Sequence, residues 1–249
     1  MTLATGAFII AMSFLTAAIS GVFGMAGGLA LKGALALVLP VSATFVVHGL
    51  LQLVANGWRA ILHRRHVSWR IVGIFALGAF TAGALVGLIV YEPTRATLFL
   101  LMGLAPALVW LPQGWVKVDA SRPAQAYTCG VSVTAMNLTA GVAGPLLDIF
   151  FVRTALTRHE IVATKAATQV FSHLMKIAVY GAPLLAAGGK GVPPLWVFAL
   201  AVPLSMLGTA AGGLVLDRLS DVDFKRYLRL ILTVIGAVYL AQAARLYMA

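Results

Sequence analysis

Residues 43–61, ATFVVHGLLQLVANGWRAI, decide the fold once they are set beside residues 160–178, EIVATKAATQVFSHLMKIA. In the first stretch His48, Gln52 and Asn56 recur every four positions among Val, Leu, Ala and Phe; in the second Lys165, Gln169 and His173 do the same. A spacing of four puts each triplet on one face of a helix. Each helix is then an apolar rod carrying one polar stripe. An unpaired amide or imidazole in hydrocarbon costs roughly 1 to several kcal/mol, and an ammonium more, so the stripes belong against protein or a watery cavity. The lipid side is excluded on the same ground.

The 249 residues are 61% hydrophobic and 10% charged. Soluble domains average about 45–50% apolar and about 25% charged residues. The chain therefore reads as an all-α protein that crosses a membrane many times, not as a soluble helical domain with an oversized core. Its formal net charge of +11 comes from basic residues placed mainly in short loops. Orientation against anionic lipid explains them better than nucleic acid does, and they also favour an anionic solute. Cys129 is the single cysteine, which excludes an intrachain disulfide and a multi-cysteine metal site. The first basic residue is Lys32, so the N-terminal segment reads as a first span without the charged region of a signal peptide.

Working outward, apolar segments are expected at about 3–22, 28–39, 43–61, 71–90 and 95–111, then 124–141, 145–156, 160–180, 194–216 and 227–246. Segments 28–39 and 145–156 fall short of the roughly 20 residues a spanning helix needs. Each follows a glycine-rich break, Gly24-Met25-Ala26-Gly27-Gly28 or Gly141-Val142-Ala143-Gly144-Pro145, and so predicts an interrupted or re-entrant helical unit. Breaks and stripes share an offset of 117 residues: 24 to 141, 48 to 165, 52 to 169 and 56 to 173. This reads as an internal duplication. The first repeat covers residues 1–111, a linker 112–123, and the second repeat 124–249, together one membrane domain. Five segments per repeat turn the second upside down relative to the first. The charges agree: an inside loop with Arg64, Arg65 and Arg70 also places Lys117, Arg122, Arg153, Arg158, Lys225 and Arg226 inside and both termini outside.

Candidate solute contacts follow from the cost of burying polar groups. Interrupted helices present free N–H groups and positive dipole ends at mid-membrane, where an anion can meet them. Gly27, Gly28 and Gly144 permit close backbone approach, or serve helix packing. Lys165 needs a solute anion or an internal partner, for which Asp148 is placed. Lys32 is a second cation for the site, or snorkels to the interface. Gln52, Gln169 and Asn56 offer amide donors to anion oxygens, or bond between helices. His48 and His173 either couple transport to protons or pack as neutral rings. Lys176 either lines an access route or snorkels. His63 and His66 read as interfacial residues of the basic loop, and Trp58, Trp69, Trp110, Trp115 and Trp196 as interfacial anchors. No HExxH array or P-loop is present, so neither a metal centre, a cofactor nor direct ATP use is expected.

The glycine break after the first span, the His48/Gln52/Asn56 stripe, the loop Arg64-Arg65-His66-Val67-Ser68-Trp69 and the weaker echo from Gly141 to His173 resemble the sulfite exporter TauE/SafE family over nearly the whole chain. Met25 and Ala26 interrupt that family's denser glycine run, and Gly144-Pro145 stands where it has a glycine pair. The resemblance implies a multi-pass transporter of the bacterial inner membrane with inverted repeats, moving sulfite, a sulfonate or a related sulfur oxyanion. The expected partners are that anion, a coupling proton or ion, and membrane lipids. A membrane enzyme acting on an amphiphile and a passive anion channel are the alternatives. No Ser/His/Asp set or carboxylate pair supports the enzyme.

Overall fold

The computed structural model describes residues 1–89, 92–111, 117–216 and 218–248. Ten α-helices order the described chain: α1 Leu3–Phe23, α2 Met25–Val38, α3 Val41–Leu62, α4 Trp69–Ile89, α5 Arg95–Leu104, α6 Pro123–Thr139, α7 Gly144–Phe151, α8 Arg158–Ala186, α9 Leu195–Leu216 and α10 Asp221–Met248. A 3₁₀ segment, Ala105–Trp110, extends α5. Each expected segment has its helix. The shortest, expected to reach 156, stops at Phe151 in a turn where Thr154 N–H bonds Phe151 O. Of the expected linker, Pro112, Gln113, Gly114 and the anchor Trp115 lie outside the described residues, as does position 90 of the fourth segment.

Sequence explains the helix ends. Thr2 caps α1, its hydroxyl accepting from Thr5 N–H, and α8 opens with a Thr157/Glu160 capping box that satisfies first-turn donors. α1 stops at Gly24, where φ is +67°, and the repeat-related Gly141 turns the chain between α6 and α7 at φ +82°. A side chain is strained in that left-handed region. Each turn folds a short helix back along a longer one: α2 packs on α1 and α7 on α6. Both units are thus helical hairpins that return to their starting side. Leu39, after α2, accepts from Arg95 at the head of α5, and Ala120 N–H, before α6, bonds Phe150 O at the end of α7.

Packing partners follow the repeat. α1 lies against α9 and α6 against α4, while α3 meets α8 and α5 meets α10. Exchanging α1–α5 with α6–α10 carries this set of neighbours into itself. Glycines permit the closest crossings: a Cβ on Gly130 would run into Phe75 O, and one on Gly212 into Ala18 O. Backbones packed this tightly are how helices associate without a hydrophobic driving force between them.

Among the described residues five helices are long and apolar enough to cross a membrane: α1, α3, α4, α9 and the Arg226–Met248 part of α10. The polarity of the molecule suits that solvent. Leu77, Phe80 and Leu88 of α4, Leu207 and Leu214 of α9, and Leu230 and Val238 of α10 are exposed, whereas Ser13, Thr16 and Ser20 of α1 and Thr164, Thr168 and Ser172 of α8 are buried. Arg64, Arg65 and Arg70 are exposed in and just after a loop that packs on the head of α8, and this end of the bundle is its basic face. There Ser68 N–H bonds Thr164 Oγ1 and the His66 and His159 rings lie 5.5 Å apart.

Candidate functional site

α3 and α8 cross antiparallel with their polar stripes facing one another. Gly49 and Gly57 of α3 sit over Ile177 and Val170 of α8, close enough to bring the stripes together. α2 and α7 begin beside them. These four helices, with Asn137 of α6, surround a cavity of about 80 Å³ lined by Gly24, Gly28, His48, Gln52, Asn56, Arg59, Asn137, Val142, Ala143, Gly144, Lys165, Gln169 and His173, among others. A water needs about 10–15 Å³ of such space, so several waters or one small oxyanion fit.

The cavity joins both halves of the duplicated pattern. His48, Gln52, Asn56, Lys165, Gln169, His173, Gly28 and Gly144 all line it. Gly27 and Lys32 do not. A Cβ on Gly27 would collide with Thr16 O and Ser20, so this glycine serves the packing of α2 on α1. Lys32 is 0% exposed, which rules out snorkelling, and its ammonium lies 3.2 Å from the centroid of the Phe45 ring. Asp148 forms an ion pair with Lys165.

Hydrogen bonds orient the polar groups. Asn56 Nδ2 donates to Gln52 O at 3.0 Å and to Gln52 Oε1 at 3.3 Å, which occupies the amide oxygen and leaves the Gln52 amino group for other partners. Asn137 Nδ2 donates to Ser172 Oγ at 2.8 Å. His48 Nε2 lies 2.9 Å from Gly28 O, and Lys176 Nζ lies 3.3 Å from His48 Nδ1. A carbonyl only accepts and an ammonium only donates, so His48 carries its proton on Nε2 and is neutral in this arrangement. Lys176 Nζ also donates to Gly141 O at 2.8 Å.

Arg59 Nη2, Gln169 Nε2 and His173 Nδ1 are buried without a hydrogen-bond partner among the described residues, and all three residues line the cavity. Orphaned buried polar groups are uncommon and cluster where a bound species completes the network. The charge balance points the same way. Arg59 and Lys165 face Asp148 as the one carboxylate paired at the site among the described residues, and the heads of α2 and α7 add positive dipole ends.

Sequence reasoning passed over one residue of the centre and put a second too far from it. Arg59 is 6% exposed and lines the cavity, and Lys176, expected near an access route or the interface, is 0% exposed and bonded to His48. The signal was available: 59 and 176 differ by the same 117 residues, so the stripes extend one step further at a spacing of three. Asn137, the repeat mate of Ser20, carried no separate signal because small polar residues are common in spanning helices.

Residues 9–239 match the family model described as Sulfite exporter TauE/SafE. Comparison with curated proteins and with solved structures finds no match.

Proposed function

Since the chain belongs to the sulfite exporter TauE/SafE family and is a multi-pass membrane protein, we propose that it is a secondary transporter of sulfite, a sulfonate or a related small sulfur oxyanion across the bacterial inner membrane, working by alternating access. One observation carries the reading. The cavity brings together Arg59, Lys165 and two helix heads, with the unpartnered donors of Arg59 and Gln169 beside them. Preorganised donors and a net positive field suit an oxyanion, and amides among them keep the site from holding it irreversibly.

Alternating access is supported by the duplication. The packing partners exchange under the swap of repeats, Gly24 and Gly141 share a left-handed turn, and both hairpins return to their starting side. An inverted pair of such units has two equivalent arrangements, one open to each side. Lys165, 21% exposed, stands towards the basic face, and the opposite end of the stripe is closed by buried Lys176 and Lys32. With the basic face inside, this arrangement is the inward-facing one. His48 and His173, with ring centroids 5.6 Å apart between the two ends, are the candidates for coupling to protons.

Labelled sulfite and several sulfonates, offered to proteoliposomes under imposed pH and voltage gradients, test the proposal. Saturable flux that falls to background in Lys165→Met at equal folded abundance is expected. Flux that neither saturates nor follows a gradient would make the protein a channel, and a chemically altered solute would make it an enzyme.

A further inference from the structure

Two buried lysines close the outer end of the stripe without lining the cavity. Lys32 and Lys176 are both 0% exposed. Their ammonium groups lie 3.2 and 5.7 Å from the centroid of the same Phe45 ring. Among the described residues Lys176 has two partners, Gly141 O and His48 Nδ1, neither of them a carboxylate, and Lys32 Nζ has no hydrogen-bond partner. Two neighbouring lysine amines without a carboxylate partner among the described residues are expensive to bury in their charged form, since cation–π contact with one ring recovers only about 1–2 kcal/mol.

The repeat supplies a reason. Arg59 corresponds to Lys176, Lys165 to His48, and Asn56 to His173 at the common offset of 117. The Arg59/Lys165/Asn56 set at the inner end of the cavity therefore has a counterpart, Lys176/His48/His173, at the other end. The inner set reaches the basic face through half-buried Lys165, and the outer set is sealed.

We propose that Lys176 and His48, the repeat-related counterparts of Arg59 and Lys165, form with Lys32 an outer station for the transported oxyanion, which receives the anion when the opposite face opens. The proposal rests on the anion-transport reading and extends it to a second binding position. Gly141 belongs to the turn between α6 and α7, so movement of that hairpin tip withdraws the carbonyl from Lys176 and frees a donor. A Cβ at Gly141 would meet Lys32 Cε at 2.6 Å, which places this turn against both cations. The freed ammonium bonds an anion oxygen, with Lys32 supplying the second charge.

The test measures sulfite half-saturation separately from the two faces in oriented proteoliposomes of wild type, Lys176→Met, Lys176→Arg and Lys32→Met. Losing one charge-assisted hydrogen bond should raise the outer-face half-saturation about 10- to 100-fold in Lys176→Met, with a shift under about threefold at the inner face and recovery in Lys176→Arg. Equal shifts at both faces, or no shift, overturn the outer station while leaving transport in place. Absence of sulfite flux in the wild type overturns the transport reading and the station with it. Melting in sulfite-free detergent guards against a folding defect. A Lys32→Met that melts higher and loses part of the sulfite-dependent rise in Tm supports a binding cation, whereas one that melts lower makes Lys32 a packing element and overturns its place in the station.

Discussion

Asp148 holds Lys165 in an ion pair at the mouth of a cavity that otherwise collects positive charge. In the function proposed above, the carboxylate is an internal anion that competes with the solute for one ammonium. Both side chains are partly open, so the pair is worth only about 0–1 kcal/mol after screening. Asp148→Asn should therefore lower the half-saturation for sulfite by about two- to fivefold, the ion pair's share of the binding free energy, as measured by uptake at fixed membrane abundance. An increase would mean that Asp148 positions Lys165 instead of competing for it. Both members of the pair were legible in sequence because a lysine and a lone aspartate inside apolar stretches are rare. Lys176 was misplaced because its long stem lets a lysine reach either the interface or the core from one backbone position. Only the neighbouring helices decide between the two, and Phe45 and the Gly141 turn close the way out.

At the level of elements, the hairpins α1–α2 and α6–α7 depend on backbone contact. Gly27→Ala pushes a methyl into Thr16 O on α1, so α2 must move as a body. The cost should be about 1–3 kcal/mol, read as a drop in Tm with flux reduced through misplacement of the α2 head. Gly28→Ala differs, because its Cβ would lie 3.2 Å from Gln52 Oε1, the end of a side chain that can shift. It should leave stability within about 0.5 kcal/mol of wild type, read as a nearly unchanged Tm, while weakening solute binding, since the methyl enters the cavity. Comparing melting and half-saturation for the two variants separates packing from contact. All ten helices were legible as apolar runs bounded by Gly, Pro or basic residues. Which glycine packs and which lines the cavity was not, because both roles require the same missing side chain.

For the molecule as a whole, α1 begins and α10 ends away from the basic face. Gly6 near the head of α1 touches Trp196 at the head of α9, and Thr97 near the head of α5 bonds Tyr247 near the end of α10 at 3.1 Å. With the basic face inside, both termini are expected outside, and a periplasmic reporter fused at either end should be active while a cytoplasmic one is silent. An active cytoplasmic reporter at the C-terminus would reject the topology. The offset of 117 residues was visible in sequence because it runs ungapped from the first break to the last stripe. The pairing of α1 with α9 and α4 with α6 was not, since an apolar face gives no hint of which apolar neighbour it meets.

Cys129 lies 1% exposed in a core with Phe75, Val133 and Phe151. Sulfite is itself a reagent: it splits disulfides into a thiolate and an S-sulfonate. A chain whose single sulfhydryl is walled in by hydrocarbon has no intrachain crosslink for that nucleophile to attack and no accessible thiol to be oxidised alongside it. Its architecture is held by backbone contact and turns, which sulfitolysis does not reach, so the protein is chemically durable towards the cargo proposed for it.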